Sequence, residues 1–385
     1  MQSSFRKEVG THIAEIKTPK YIDTSEDASF TPKSFQEVTS YNWLESTTPT
    51  IMVPGTQFPI VREMTLGAPA KWTPKVMPIR IQSDSGLIYI DQNAFRSPRY
   101  PLEPLFRSIY ITDPKFDPKE FDLVTDRNNL RKLMFMLSDV MIGDFRIDLE
   151  LVGNTLLFTR WETTSSEYLT DFRGFGHEFE RKFTTYASEM SRSTGHHRVV
   201  SYAFGGLKLL LRFEVDAHTG DYGSAKSEDI DNLTAQIGSL RLQSQTASDK
   251  TDGNVQVTRG GYHVPHKSLV ELKTRAKHRR IQTSDVIYQL WFSQVEHLFV
   301  GYHNRGVFTE LNQTNYKTSG GFDRFTRDKG MELRRLIKLI REIRKTMITQ
   351  KRPRAVLLHE GGSLHLYEKG SNQHALPADL LLKWE

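Results

Sequence analysis

The stretch Gly206 to His218, GLKLLLRFEVDAH, restricts the fold more than any other part of the chain. It is apolar, bounded by glycine and too short to span a bilayer, as expected of a strand buried in a core. Successive side chains along a strand alternate between its two faces. In Arg212-Phe213-Glu214-Val215-Asp216, Glu214 and Asp216 therefore share one face, while Phe213 and Val215 point into the core. An apolar strand that presents two carboxylates side by side is a costly arrangement, because neighbouring negative charges raise each other's pKa.

A second stretch repeats the pattern. In Leu269-Val270-Glu271-Leu272-Lys273-Thr274, Glu271 and Lys273 share one face, with Val270 and Leu272 on the other. An acid-x-acid strand followed by a Glu-x-Lys strand is the arrangement used by metal-dependent phosphodiesterases. Clustered carboxylates are relieved by a hard divalent cation, and Mg²⁺ or Mn²⁺ prefers such oxygen ligands. The lysine can orient an attacking water or stabilise a pentacoordinate phosphate. Either pair alone would more often be a solvated strand face; the two together, on strands that are otherwise apolar, favour a site.

Composition narrows the alternatives. The chain has 385 residues and no cysteine, which removes disulfides, thiol nucleophiles, iron–sulfur clusters and Cys-bearing zinc sites. With 37% hydrophobic and 25% charged residues it is neither disordered nor collagen-like. No apolar run follows the first charges and none is long enough to cross a membrane, so an intracellular protein, nuclear or cytoplasmic, is expected. The net charge of +6 is compatible with a polyanionic partner without establishing one.

Along the chain, residues 1 to about 100 read as short strands and turns. A helix is expected from Asp126 or Arg127 through Leu137, strands over 144–152 and 154–159, and a helix carrying Phe175, Phe179, Phe183 and Tyr186. Residues 219–253 turn polar without periodicity and read as a surface insertion. Strand character returns over 255–274. Residues 285–300 read as a helix running into a strand, and Met331 to Met347 as an amphipathic helix. Tyr41, Trp43 and Trp72 read as packing residues, and the basic face of the last helix (Arg334, Arg335, Lys338, Arg341, Arg344, Lys345) as solvated. Lys277, His278, Arg279 and Arg280 follow the Glu-x-Lys strand and are as well suited to phosphate as to solvent.

Several familiar signatures fail. Gly174-Phe175-Gly176 lacks the third glycine of a dinucleotide fingerprint, where Phe179 stands, and His177-Glu178 lacks the second zincin histidine, replaced by Arg181. There is no Walker A sequence and no G-x-S-x-G elbow.

The residues do resemble one family. Gly176-His177-Glu178-Phe179-Glu180, Glu214-Val215-Asp216 and Glu271-Leu272-Lys273 resemble the Gly-Φ-x-Φ-Glu, Glu-Φ-Asp and Glu-Φ-Lys motifs of the DXO family of RNA 5′-end decapping nucleases. Val124-Thr125-Asp126-Arg127 looks like its arginine motif, and Leu290-Trp291-Phe292-Ser293-Gln294 like the segment carrying its glutamine. The motifs stand in the family's order across residues 120–305. Ser40-Tyr41-Asn42-Trp43-Leu44 and Val53-Pro54-Gly55 look like the text of fungal members. His177 departs from the pattern, which has a larger apolar residue there.

The resemblance implies an α+β fold: a mixed β-sandwich of the PD-(D/E)xK nuclease type with flanking helices, read as one domain over 1–385. It implies that Glu180, Asp216 and Glu271 hold Mg²⁺ or Mn²⁺, with Glu214 holding a ligand or a water. Lys273 and Gln294 would position water and scissile phosphate, and Arg127 would bind a phosphate near the RNA 5′ end. The implied activity is removal of incomplete caps (5′ triphosphate, unmethylated guanosine cap, NAD), with 5′→3′ degradation in many members. A 5′→3′ exoribonuclease is an implied partner of some. The rival readings are a PD-(D/E)xK nuclease acting on DNA and a non-catalytic stimulatory partner of an exoribonuclease.

Overall fold

A computed structural model describes residues 4–18, 30–53, 68–138, 140, 142–222, 253–282, 284 and 286–385. The polar insertion lies almost wholly outside the described residues, as do Pro54 and Gly55.

The architecture is mixed α+β, as expected. Among the described residues there is an eleven-stranded sheet, a seven-stranded sheet and a two-stranded ribbon. The centre of the larger sheet is β1 (Leu123–Asp126), β2 (Ser193–Phe204) and β3 (Leu207–Val215). β3 pairs parallel with β1 on one side and antiparallel with β2 on the other. This central position explains its near-continuous apolar text, Leu209, Leu210 and Leu211 being fully buried. In the smaller sheet β4 (Leu269–Ala276) pairs parallel with β5 (His297–Asn304), which pairs antiparallel with β6 (Val307–Asn315).

The chain changes sheets at Asp216. β3 ends at Val215 in the larger sheet, and Ala217–His218 then pairs with Val270 and Leu269 of β4 in the smaller one. The two sheets share one core: Leu211, Phe213 and Val215 cluster with Leu269, Leu298 and Val300, and with the buried faces of three helices. Those helices are α1 (Arg127–Leu137), α3 (Ile287–Ser293) and α4 (Gly330–Thr349). α4 buries Leu333, Leu336, Ile337, Leu339, Ile340, Ile343 and Met347, the single apolar face its spacing dictates.

Three expectations need correction. The helix around Phe175, here α2 (Gly176–Phe183), ends at Phe183; Phe175 precedes its first turn, and Tyr186 lies beyond the Thr184–Thr185 strand. The β-branched pair Thr184-Thr185 is drawn into pairing with Trp72 and Lys71, which stops the helix. The N-terminal region also contains a long strand, Lys33–Leu44, of 12 residues. Finally, the basic side chains of α4 are not all solvated: Arg335 and Arg341 donate to the Leu137 and Gly205 carbonyls, each at 2.8 Å, and the Arg334 guanidinium lies over the Phe30 ring.

Tyr41 and Trp43 are fully buried and Trp72 is 7% exposed, as packing residues should be. Tyr41 Oη and Trp43 Nε1 both donate to Asn93 Oδ1, at 2.6 and 3.0 Å.

Candidate active site at the seam between the sheets

Strand alternation places the acids where the text suggests. Phe213 and Val215 are buried in the core while Glu214, just before the sheet crossing, and Asp216, at it, emerge on the opposite face. β4 brings Glu271 and Lys273 alongside, and α2 adds Glu180 from its last turn. The site therefore exists only because two sheets and a helix meet.

α2 is held from outside its own sequence. Asp84 accepts from the Gly176 and Glu178 amides, both at 2.9 Å, and so caps a helix whose preceding residue, Phe175, cannot. One turn on, Phe179 presses against β5 at Gly301, where a Cβ would come within 2.5 Å of its ring. Those two contacts aim Glu180 at the acids.

The electrostatics are those of crowded carboxylates. Burial, reinforced by Asp216, Glu214 and Glu271, holds the Glu180 carboxyl well above the usual range. Burial and Glu271 push Asp216 up to about 7, although its Oδ2 accepts from the Leu272 amide at 2.7 Å. Glu214 is exposed as a residue, yet the burial of its carboxyl, with Glu271 nearby, raises it too. Glu271 behaves oppositely. Burial alone would raise it, yet Arg127 and Lys273 outweigh that and hold it at about 2. Arg127 Nη1 lies 3.0 Å from Glu271 Oε2, and Lys273 Nζ 2.6 Å from Oε1 and 4.0 Å from Asp216 Oδ2. Burial disfavours the Lys273 ammonium, but Glu271 and Asp216 more than offset this and raise its pKa.

Such an all-oxygen donor set, with several carboxyls pushed up by their neighbours, fits a hard divalent cation in chemistry. Among the described residues, however, no three Asp, Glu or His side chains converge closely enough to hold one. Glu271 is committed to Arg127 and Lys273, whose cationic groups supply its compensating charge.

Gln294 is not brought into this group. It ends α3 in the left-handed conformation, φ 56°, and its side-chain amide donates back to the Trp291 carbonyl. Its neighbour Ser293 is the residue that reaches the site, with Oγ 3.4 Å from Arg127 Nη1. Arg280, one of the four basic residues after β4, pairs with Glu310, its Nη2 lying 3.2 Å from Oε2, and stacks over Tyr302.

Beside the acids lies a cavity of about 210 Å³ lined by Arg127, Arg131, Arg160, Arg212, Glu214 and His197, among others. Sequence reading missed most of it. Arg212 is fully buried and forms a two-pronged pair with Asp126, at 2.6 and 2.9 Å. That pair ties β3 to the first residue before α1, and so fixes where Arg127 begins. Its one sequence signal was Asp126, which stands inside the arginine motif.

With this geometry in place, residues 13–384 match the model of a family described as a domain of unknown function, DUF8563. The chain belongs to that family. No curated protein matches its sequence. Solved structures do match its fold. Rai1 of Scheffersomyces stipitis in complex with (3′-NADP)+ and calcium ion aligns with a TM-score of 0.55 at 11% identity, covering 95% of this chain and 99% of that one. Candida albicans Rai1 in complex with pU5-Mn²⁺ gives 0.52 at 11% identity over 95% and 99%. S. pombe Rai1 in complex with 3′-FADP gives 0.51 at 13% identity over 95% and 98%. This DUF8563 chain thus has the α+β fold of Rai1, the fold its motifs imply.

Proposed function

We propose that the protein is a metal-dependent nuclease that removes incomplete caps from RNA 5′ ends: a 5′ triphosphate, an unmethylated guanosine cap or NAD. The observation that carries this reading is the meeting of Glu214 and Asp216, at the end of a central strand of one sheet, with Glu271 and Lys273 on an inner strand of the other, beside a cavity rich in arginine. The Rai1 fold supports it, as do the divalent ions and nucleotides bound by those neighbours. Because the motif residues come from both sheets, we read the chain as one catalytic domain.

Glu180, Glu214, Asp216 and Glu271 would hold Mg²⁺ or Mn²⁺. A divalent cation supplies Lewis-acid stabilisation of charge on the phosphate. Arg127 lines the cavity and presents a planar guanidinium suited to a phosphate oxygen pair. Lys273, kept charged by Glu271 and Asp216, neutralises charge that develops on the scissile phosphate. In this reading Gln294 acts only after its amide leaves the Trp291 carbonyl. Further 5′→3′ degradation, a partner exoribonuclease and a nuclear or cytoplasmic site of action belong to the same proposal.

The test is to incubate the protein and a Glu271→Ala variant, each with Mn²⁺, with RNAs bearing triphosphate, unmethylated cap, methylated cap, NAD or monophosphate, plus a DNA control. Wild-type protein should cleave the incompletely capped RNAs and the variant should not. Cleavage of DNA alone would replace the reading by a DNA nuclease, and identical products from both proteins would end it.

A further inference from the structure

Four guanidiniums line the cavity, and three of them are neutralised by carboxylates. Arg212 pairs with Asp126, Arg160 lies 2.8 Å from Glu162 and 3.8 Å from Asp91, and Arg127 pairs with Glu271. Arg131 has no ion-pair partner among the described residues; its guanidinium lies over the Phe135 ring, 5.6 Å away. Burial and the neighbouring Arg127 and Arg160 push it down to about 10, against a weaker opposing pull from Glu271. A half-buried cation with no carboxylate in direct contact costs stability, which is tolerated where a ligand supplies the missing charge.

Arg131 follows Arg127 by one helical turn on α1, and side chains so spaced lie on one helix face with Cβ atoms about 5–6 Å apart. Two guanidiniums at that spacing can grip two linked phosphate groups. The same cavity is also lined by residues with buried acceptors that have no hydrogen-bond partner, Asn128 Oδ1 and Gln92 Oε1, which suit hydroxyl donors on the same ligand.

Resting on the nuclease reading above, we propose that Arg131 is a specificity-determining residue that binds a second phosphate next to the one held by Arg127. The cavity then selects 5′ ends that carry at least two consecutive phosphates over monophosphate ends. The second phosphate has two sources, a 5′ triphosphate or the pyrophosphate of a dinucleotide cap.

Two measurements test this. In EDTA, inorganic tripolyphosphate and inorganic phosphate are titrated calorimetrically into wild-type protein, Arg131→Gln and Arg131→Lys. Wild type should bind tripolyphosphate at least tenfold more tightly than Arg131→Gln, with Arg131→Lys between, since lysine keeps the charge but loses the fork. The melting temperature of Arg131→Gln should equal or exceed that of wild type, because an unpaired cation is removed, so a lost affinity is not a lost fold. Equal tripolyphosphate affinity in wild type and Arg131→Gln, or none in wild type, overturns the assignment.

With Mn²⁺ and RNA, the kcat/KM ratio of triphosphate to monophosphate ends should fall at least tenfold in Arg131→Gln, mainly through KM, and the same comparison with a dinucleotide-capped RNA shows which source is read. An unchanged ratio for both kinds of end overturns selection by Arg131. A wild-type protein that cleaves no RNA, yet loses tripolyphosphate affinity on Arg131→Gln, overturns the nuclease reading and leaves the phosphate site standing.

Discussion

Lys273 Nζ donates to Glu271 Oε1 at 2.6 Å, between two residues that follow each other on the same face of one strand. Parity makes this pair possible, and burial makes it strong: Glu271 is only 3% exposed. It leaves Glu180, Glu214 and Asp216 with less compensation than Glu271 receives, and the chemistry and stability of the site both follow from that imbalance.

Divalent metal should stabilise the protein. Mn²⁺ at 100 times its Kd contributes about 2.7 kcal/mol to the folded state. The melting temperature of the wild-type protein should rise accordingly, and a Glu214→Ala, Asp216→Ala double variant should lose most of the rise. Equal shifts in both proteins would remove these residues from the metal site.

Stability without metal should fall as pH rises from 4 to 7. Asp216 titrates near 7 when folded and near 3.9 when unfolded, so in this window the native state holds a proton that the unfolded state has released. Its contribution is complete below about pH 4 and gone above 7, with a slope of at most about 1.4 kcal/mol per pH unit. Glu180, also raised, acts in the same sense. Glu271 acts in the opposite sense: its contribution is present above about pH 4.3 and lost as pH falls toward 2. Urea melts in EDTA should show a shallower decline for Asp216→Asn, and parallel curves would refute the assignment.

Arg212→Met should destabilise the fold by about 3–5 kcal/mol, because it strands Asp126 as a buried charge. Denaturant unfolding reads this directly. A loss below about 1 kcal/mol would mean that Asp126 finds another partner or takes up a proton.

Asp84→Ala should cost about 1–2 kcal/mol through the lost cap of α2. It should also weaken Mn²⁺ binding severalfold, since that helix carries Glu180. Asp84→Asn, which keeps an acceptor, should recover part of both. Unaltered metal affinity in Asp84→Ala would confine Asp84 to a structural role.

Much of the site was legible because its logic is local. Alternation along β3 and β4 dictates that Glu214 shares a face with Asp216 and Glu271 with Lys273, and burial of Phe213, Val215, Val270 and Leu272 agrees with this. The helix running into a strand over 285–300 was legible, but the left-handed backbone of Gln294 turns its amide onto Trp291, a choice made by the helix end and invisible in the motif. Asp84 and Arg160 carried no signal, since each works through partners far away in sequence or in an irregular segment.

The sequence by itself determined which residues alternate, which faces are apolar and that the only donors for a metal are oxygens and imidazole nitrogens, because these depend on strand and helix periodicity and on composition. Only the tertiary structure decided that the strand carrying Glu214 crosses to a second sheet at Asp216, that the distant Arg127 joins Lys273 in neutralising Glu271, and that Arg131 is left without an ion-pair partner among the described residues. Those outcomes depend on which buried faces meet and which charges are desolvated together, a long-range property that no local pattern encodes.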